Sequence, residues 1–490
     1  MSELNSAAEY HDRTRYTRDR MSGSGLDWSN QPRTTKAYPG AETVPLPREL
    51  TLPRIEVSRA LLGRLKRSPE PLNLSVLAEL LYMAYGFTTQ FDYGTQVFQY
   101  RSAPSAGALY PTEIYLAARG VDGLADGLYH YSLNDFSLAL LRPGPPPAKI
   151  PAPSLILSSI FFRSAWKYRE RGFRYCLLDT GHVAENLMLI SPTLGLEPQL
   201  ETDFDDDPVN RYLDLDPTLE RALCLIRLGS PISSSSAAAS SPEEAGSVPG
   251  LPQAEPLAPR EETFDLITAV SQLTSAHLTR KQPLSLERPA GLAVSLPKLA
   301  WDEFTGPTLV EALQKRRSRR NFRPSDLEKE SLARVLDMVA APDPGTLINL
   351  GLAVSSIQDL PDGYYLFRPE THDLKQHKGG FLSLAISSDA FHQDWLSRAS
   401  LILVLTAPLA ELEGSLGPRA LRLAYLAAGR LGQRAYLAAE YMGWGCCGVG
   451  AFYDADLHQT LSLPQGEEIL YLVALGSIKK RTHGGRPEKA

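Results

Sequence analysis

A lysine and a tyrosine stand side by side at Lys167 and Tyr168, within the run WKYRERGFRY. Neither is a good base at neutral pH, because the ordinary pKa values are about 10.4 for lysine and about 10 for tyrosine. A Lys ammonium about 4 Å from a phenol, at an effective dielectric near 20, favours phenolate by up to about 4 kcal/mol, or about three pKa units. The pair predicts a proton-handling site in which Lys167 tunes Tyr168. The alternative is a surface lysine beside an aromatic anchor.

A dense basic run, KRRSRR, ends an apolar helix predicted over residues 308–314. Arg316 and Arg320 are four residues apart and share a helix face, where like charges repel unless an anion lies between them. Guanidinium forks match phosphate oxygens, and a serine hydroxyl adds a neutral donor. A solvated helix end or a nucleic-acid patch is equally compatible with these residues. The candidates for a phosphate clamp are Arg316, Arg317, Ser318, Arg320 and, more weakly, Lys480 and Arg481.

Two loops of small residues could admit a flat ligand close to the backbone. One is APSAG, over residues 103–107, and the other is GCCGVGAF, over residues 445–452. Considered alone, the APSAG loop is weak evidence, because most such loops are only turns. A tight helix-to-strand connection with two buried thiols explains the second loop at least as well. The candidates for ligand contact are Pro104, Ser105, Ala106, Gly107, Gly448, Val449 and Gly450.

The elements that position these residues are predicted from a faint internal repeat. DGLYHYSLNDFSL at 126–138 corresponds to DGYYLFRPETHDL at 362–374, each typical of two short strands and a turn. Gly181 corresponds to Gly429 at one offset within two helical patterns, where glycines allow another helix to approach closely. Each half ends in a buried strand followed by Gly-Ser.

Between the repeats, residues 232–262 are rich in Ser, Ala, Pro and Glu and predict a linker. We therefore predict two copies of one α+β domain. The predicted boundaries are an extended arm at 1–52, a first domain at 53–231, the linker at 232–262 and a second domain at 263–490. Helices are expected over 74–86 in the first copy and 327–340 in the second.

Composition excludes several classes of protein. With 490 residues and a net charge of −6, the chain is a multidomain globular protein without general attraction to nucleic acid. Its four cysteines lack the spacing of a disulfide framework or a zinc site, so we expect no metal. No apolar signal segment or run of about 20 apolar residues is present, which predicts a cytoplasmic protein without membrane contact.

Together, RRSRRNF, APSAGALYP, GCCGVGAF and the terminal ALGS resemble the flavin-dependent nitroreductase superfamily. YRSAPSAGALYP with the later WKYRERGFRY is similar to the SagB-type dehydrogenases, a group that includes azoline oxidases of peptide natural-product biosynthesis. The resemblance implies FMN bound between two protomers. One protomer would supply the RRSxR clamp, a basic tail and a glycine-turn amide at flavin N5. Its partner would supply the APSAG loop and the Lys-Tyr pair.

In this chain those parts are divided between the copies. The first copy has APSAG and the Lys-Tyr pair but reads RLKRSPEPLN where a clamp belongs, and the second has RRSRR and GVGAF but lacks the other two. The resemblance therefore implies an intrachain pseudo-dimer with one complete FMN site and a degenerate mirror site.

The function implied is an FMN-dependent dehydrogenase that oxidises a heterocycle, such as a peptide thiazoline or oxazoline, to the azole. Tyr168, tuned by Lys167, would remove the proton, and the Gly450 amide would face the flavin. One alternative is an NAD(P)H-dependent reductase of nitro, quinone or ene compounds. Another is a non-catalytic adaptor that binds a peptide or a biosynthetic partner. The expected partners are a small-molecule or peptide substrate and other biosynthetic enzymes, with no nucleic acid and no membrane.

Overall fold

A computed structural model describes residues 4–19, 25–65, 68–93, 96–229, 251–279, 293–301, 306–340 and 347–479. The helices are α1 (Ala7–Arg13), α2 (Val57–Leu61), α3 (Leu74–Tyr85), α4 (Phe161–Tyr168), α5 (Gly172–Ile190), α6 (Asp206–Leu213), α7 (Asp265–Leu273), α8 (Leu309–Lys315), α9 (Lys329–Ala340), α10 (Ser383–Asp389), α11 (Leu409–Leu416), α12 (Ala420–Met442) and α13 (Asp454–Leu461). The strands are β1 (Glu42–Pro45), β2 (Phe87–Tyr93), β3 (Gln96–Arg101), β4 (Thr112–Ala118), β5 (Gly127–Ser132), β6 (Ser137–Pro143), β7 (Ser154–Ile160), β8 (Glu197–Glu201), β9 (Glu220–Gly229), β10 (Ala293–Ser295), β11 (Asn349–Val354), β12 (Gly363–Arg368), β13 (Asp373–Gly379), β14 (Leu401–Ala407), β15 (Gly445–Val449) and β16 (Glu468–Gly476).

Within these ranges, the chain forms two seven-stranded antiparallel sheets with the same strand order. The first is β1-β6-β5-β4-β7-β9-β8, and the second is β10-β13-β12-β11-β14-β16-β15. Strands β2 and β3 form a separate hairpin in the first copy. Because the orders agree strand for strand, the two halves are copies of one α+β unit, which confirms the predicted fold.

Local sequence explains where the elements lie. The central strand β14, with the sequence LILVLTA, is buried along its whole length, so an apolar run on both faces is required. Helix α8 begins at a capping box in which the Thr308 hydroxyl accepts the amide of Glu311 and the Glu311 carboxylate accepts the amide of Thr308. The predicted helices over 74–86, 308–314 and 327–340 correspond to α3, α8 and α9, with ends that differ by one or two residues.

The long helices α5 and α12 cross at the centre of the molecule. A Cβ added at Gly181 would lie 3.0 Å from the Cα of Gly429 and would collide with the Leu426 carbonyl, and one at Gly429 would collide with the Leu178 carbonyl. The crossing confirms the close approach that the two glycines predicted. One continuous apolar core runs through both copies around it.

Polar side chains also join the two central helices. The Glu185 carboxylate of α5 accepts hydrogen bonds from Arg430 at 2.8 Å and from Arg434 at 2.7 Å on α12. His182 lies 3.0 Å from Gln433 across the same surface. A buried, charge-assisted interface of this kind fixes the register of the two helices, so the copies form a pseudo-dimer within one chain.

The N-terminal segment is more deeply embedded than an extended arm over the surface. Its helix α1 buries Ala7 and Tyr10, and it ends at Thr14. The hydroxyl of Thr14 donates to Tyr10 O and accepts a hydrogen bond from Arg174. Helix α7 ends in the same way at Thr274 in the second copy. Helix α1 of the arm therefore corresponds to helix α7 of the second copy.

Part of the predicted linker also packs on the protein. Within residues 251–262, Leu257 and Ala258 are buried. The Leu257 carbonyl accepts the amide of Arg33, and the Glu255 amide donates to the carbonyl of Ala37. This stretch lies along the N-terminal segment, whereas residues 230–250 lie outside the described residues.

Candidate functional site

Lys167 and Tyr168 end helix α4, at the junction between the two copies. Lys167 is exposed and Tyr168 is half-buried, with the Lys167 Nζ 5.6 Å from the centroid of the Tyr168 ring. The Tyr168 ring packs against Tyr175 of α5 at a centroid separation of 4.2 Å. The phenol ring is therefore held by packing, and the ammonium lies over it.

The pKa shifts of this pair differ from the sequence expectation. Burial raises the pKa of Tyr168, with only a partial opposing effect from the charge of Arg320. Desolvation by the neighbouring protein and, second, the charge of Arg320 lower the pKa of Lys167. The expectation that Lys167 tunes Tyr168 toward phenolate is therefore wrong, because removing the phenol from water outweighs the nearby positive charge. Lys167 is the member of the pair whose pKa moves toward neutrality.

The APSAG loop lies directly beneath this pair. A Cβ at Gly107 would lie 3.0 Å from the Tyr168 hydroxyl and 3.3 Å from the Lys167 Cδ. The Ser105 hydroxyl donates to Asp179 at 2.6 Å, and the Ala106 amide donates to the same carboxylate at 3.2 Å. Ser105 is thus engaged in holding the loop, and the small residue at 107 lets the loop approach the Lys-Tyr pair.

Arg316 of the RRSRR segment crosses to the first copy. Its guanidinium is buried and donates to the carbonyls of Ser102 at 2.7 Å and Arg101 at 2.8 Å. It also lies over the Tyr436 ring at 5.3 Å. This geometry gives Arg316 a role in joining the copies, beside any contact with a ligand.

Arg317 also reaches the first copy, where its guanidinium hydrogen-bonds Thr89 of the hairpin and lies over Tyr100. Burial and the charges of Arg316 and Arg319 lower the pKa of Arg317 to about 10. The segment is therefore a concentration of positive charge.

Ser318 and Arg320 are the exposed members of the segment. The Ser318 hydroxyl lies 2.8 Å from the Tyr436 hydroxyl, and the Arg320 guanidinium lies over Trp395 at 5.9 Å. Arg320 is also close enough to lower the pKa of Lys167. The structure thus brings the second copy's basic segment to the first copy's Lys-Tyr pair.

The glycine-rich turn closes the same junction. The Gly448 amide donates to the Tyr436 hydroxyl at 2.8 Å, which ties the turn to Ser318. A Cβ at Gly450 would collide with the Tyr175 ring, and the Gly450 carbonyl accepts a hydrogen bond from Arg171 at 3.0 Å. Val449 is buried between them, and Pro104 is buried in the facing loop. Lys480 and Arg481 lie outside the described residues.

Sequence reasoning missed three residues that support the site, namely Tyr175, Asp179 and Tyr436. Their partners are far away along the chain, so no local motif indicates them. Of the three, only Asp179 could have been noticed in the sequence. It is a carboxylate within a mostly apolar helix, and a carboxylate is seldom buried unless it has a partner.

The donor set at this junction fits a flavin mononucleotide. Burial and the charges of Arg316 and Arg319 lower the pKa of Arg317, and the charge of Glu440 opposes this only in part. A phosphate monoester would neutralise this charge, and Ser318 offers an exposed hydroxyl beside it. Gly107 and Gly450 carry no side chains, so the two facing loops pack closely on Tyr168 and Tyr175 at this junction.

Comparison with known proteins places both halves in one family. The sequence model of the Nitroreductase family matches residues 66–230 and again residues 313–477. A nitroreductase-type protein of Methanocaldococcus jannaschii is 33% identical over 157 residues, which cover 30% of this chain and 76% of that protein. The resemblance predicted from the sequence is confirmed in each copy.

Two other relatives carry names from peptide processing. Microcin B17-processing protein McbC of Escherichia coli is 29% identical over 133 residues, covering 24% of this chain and 49% of McbC. Trifolitoxin-processing protein TfxB of Rhizobium leguminosarum is 29% identical over 176 residues, covering 32% of this chain and 46% of TfxB. The matched regions span about half of these two relatives.

A solved structure shares the whole tandem arrangement. A nitroreductase-type protein of Anabaena variabilis has a TM-score of 0.76 and 25% identity, covering 97% of this chain and 100% of that chain. In the part of the chain that the structure describes, no helix is both long enough and apolar enough to span a bilayer.

Proposed function

The chain belongs to the nitroreductase family of oxidoreductases, and from that premise we propose that it is an FMN-dependent dehydrogenase with one composite flavin site. The first copy contributes the Lys-Tyr pair and the APSAG loop, and the second contributes the basic segment and the glycine-rich turn. We propose cofactor contacts from Ser318, Arg320, the 104–107 loop and residues 448–450, with Lys480 and Arg481 as weaker candidates. Arg316 and Arg317 chiefly hold the clamp segment against the first copy.

One observation carries the proposal, namely that functional residues of the two copies meet. Arg320 of the second copy lowers the pKa of Lys167 in the first. Gly450 of the second copy packs on Tyr175, which packs on Tyr168. Residues that the family resemblance assigns to two protomers are thus adjacent in a single chain.

The proton chemistry is assigned to Lys167. Its lowered pKa increases the neutral fraction, and neutral Nζ is a base that can take a proton from a substrate carbon. Tyr168, whose pKa is raised, stays protonated and donates a hydrogen bond that orients the substrate. Gly107 lies directly against the pair, so the loop fixes the position of both side chains.

FMN, when bound, supplies the two-electron acceptor for the hydride that leaves the substrate. The positive charge of Arg320 and the Ser318 hydroxyl would hold an anionic cofactor. The Ser105–Gly107 backbone, fixed by Asp179, would support its ring from the other side.

For the substrate we propose a thiazoline or oxazoline within a peptide. Loss of a hydride from one ring carbon and of a proton from its neighbour converts the azoline to the aromatic azole, with both electrons passing to the flavin. The names of McbC and TfxB as processing proteins of microcin B17 and trifolitoxin support a peptide substrate and other biosynthetic proteins as partners. The name of the M. jannaschii relative, a nitroreductase, supports the alternative of a reductase that acts on nitro compounds.

Two anaerobic half-reactions separate these functions. The purified protein is reconstituted with FMN and mixed either with a thiazoline-containing peptide or with NADPH, and flavin bleaching is followed by absorbance. A dehydrogenase is reduced by the thiazoline and yields the thiazole. Bleaching by NADPH alone identifies the reductase, and a protein that binds no FMN identifies the adaptor.

Arg320→Ala tests the clamp, with Arg323→Ala as the matched control. Both arginines are exposed and lie three residues apart, but only Arg320 is near Lys167. Removing one charge-assisted contact of about 1.5–3 kcal/mol weakens FMN binding by about ten- to a hundred-fold. Equal FMN affinities of the two variants would show that Arg320 does not bind the phosphate.

A further inference from the structure

Asp179 is a buried carboxylate whose hydrogen-bond partners all belong to one loop. It lies on α5 and is 6% exposed. Its oxygens accept the Ser105 hydroxyl at 2.6 Å and the Ala106 amide at 3.2 and 3.3 Å. The Ser105 oxygen in turn accepts the amide of Tyr110 at 2.8 Å. A single chain of hydrogen bonds therefore runs from the central helix through the whole loop.

The loop requires such a tether because its backbone is strained. Gly107, Ala108 and Tyr110 have φ values of 65°, 55° and 48°, in the left-handed region. For residues other than glycine this conformation is unfavourable, and it persists only where the surroundings enforce it. The strained stretch is also the part that contacts Tyr168 and Lys167.

The repeat shows that this carboxylate is specific to one copy. Gly181 and Gly429 are equivalent and meet at the helix crossing. Two residues before each glycine, the first copy has Asp179 and the second has Ala427. The second copy has also lost the APSAG sequence. Because the scaffold is shared and the carboxylate is not, helix packing does not require Asp179.

Resting on the function proposed above, we propose that Asp179 is a positioning residue that holds the Ser105–Tyr110 loop in its strained conformation for flavin binding. It acts through Ser105 and Ala106 and touches neither the flavin nor the substrate. In the mirror half, Ala427 supplies no tether, in keeping with the loss of the APSAG sequence from the second copy.

The test measures FMN affinity by fluorescence titration of the flavin-free protein. Asp179→Ala and Ser105→Ala should each weaken binding by about tenfold or more, because each breaks the same hydrogen-bond chain. The double variant should bind about as weakly as either single variant, since both changes remove one tether. Multiplicative losses in the double variant would overturn the proposal.

Glu185→Gln is the matched control, because Glu185 is a buried carboxylate on the same helix that contacts Arg430 and Arg434 and not the loop. It should lower thermal stability but leave FMN affinity unchanged. Asp179→Asn keeps one acceptor oxygen and should therefore bind FMN more tightly than Asp179→Ala. This variant keeps the test valid if Asp179→Ala fails to fold.

Hydrogen–deuterium exchange of the peptide covering residues 103–112 gives a second, cofactor-free measurement. Exchange should rise in Asp179→Ala and stay at the parent level in Glu185→Gln. If the parent binds FMN and both Asp179 variants match it in affinity and exchange, the positioning role is wrong. If the parent binds no FMN, the proposed function fails first and this inference fails with it.

Discussion

Arg171 of the first copy donates a hydrogen bond to Asp454 of the second copy at 2.8 Å, and both side chains are buried. Arg174 reaches the same carboxylate at 3.0 Å. The equivalent contacts in the mirror half join Arg419 and Arg422 to Asp206, at 2.7 and 2.8 Å. The copies are thus locked together by two pseudo-symmetric ion clusters. Only the first is tied to the functional junction, through the hydrogen bond from Arg171 to the Gly450 carbonyl.

This asymmetry makes Asp454→Asn and Asp206→Asn an informative pair. Asp454→Asn removes the carboxylate between Arg171 and Arg174. Asp206→Asn removes the one that Arg419, Arg422 and, at 3.9 Å, Arg221 share. Either change should destabilise the protein by about 3–5 kcal/mol in denaturant unfolding. Only Asp454→Asn should also weaken FMN binding, because Arg171 then no longer fixes the glycine-rich turn. Equal loss of flavin affinity in both variants would show that the effect is one of global stability.

The glycines at the helix crossing predict a second matched pair. Gly429→Ala places a methyl group against the Leu178 carbonyl, so it should destabilise the protein by about 1–3 kcal/mol in thermal unfolding. Gly414→Ala in α11 has nothing within 4 Å and should be neutral or stabilising by up to about 1 kcal/mol. Comparable effects of the two changes would contradict the tight crossing.

The sequence predicted the repeat and the two copies because their evidence is local. Gly181 and Gly429, and the similar final strands, can be recognised without knowing any long-range contact. Contacts between residues that are far apart in the chain could not be predicted in this way. The spacing of Arg316 and Arg320 indicated a cation cluster, but the turn of Arg316 toward the Ser102 carbonyl depends on the other copy. Likewise, the pKa of Tyr168 is set by burial, which the adjacent Lys167 does not reveal.

Flavin content provides a third prediction. The complementary distribution of Lys167 and Arg320 between the copies predicts one FMN per chain, measured as released flavin per polypeptide after denaturation. The mirror junction should stay empty, because the tethering carboxylate is replaced there by Ala427. Two flavins per chain would contradict the composite site.

The ionisation of Asp179 predicts a pH dependence of stability. Burial raises its pKa to about 7, so the folded protein holds a proton that the unfolded chain loses near pH 4. Stability therefore falls as pH rises from about 4 to about 7, by up to about 4 kcal/mol from this group. The titratable neighbours that its charge affects have raised pKa values and stay neutral in this window, and they are Tyr85, Tyr168, Tyr471 and Cys176.

Asp179→Asn should remove this contribution. The difference in melting temperature, variant minus parent, should increase between pH 5 and pH 8, because only the parent must bury a charge at the higher pH. Thermal unfolding of both proteins in matched buffers measures the difference. A difference that is constant with pH, or that falls, would mean that Asp179 is already ionised at pH 5.

The last prediction concerns the division of labour within the Lys-Tyr pair. If Lys167 is the proton acceptor, Lys167→Met should slow azoline oxidation by about a hundred-fold or more, the usual effect of losing a positioned base. Tyr168→Phe keeps the half-buried ring against Tyr175 and removes only a hydrogen-bond donor, so its effect should be smaller and should fall mainly on substrate affinity. Both variants should retain FMN, because neither residue belongs to the basic segment.

The rate of azoline oxidation by the parent should rise with pH as Lys167 loses its proton. This rise should persist in Tyr168→Phe but vanish in Lys167→Met. Loss of the pH dependence in Tyr168→Phe alone would instead assign the proton transfer to the phenol. Rates equal to that of the parent in both variants would show that neither residue takes part in the reaction.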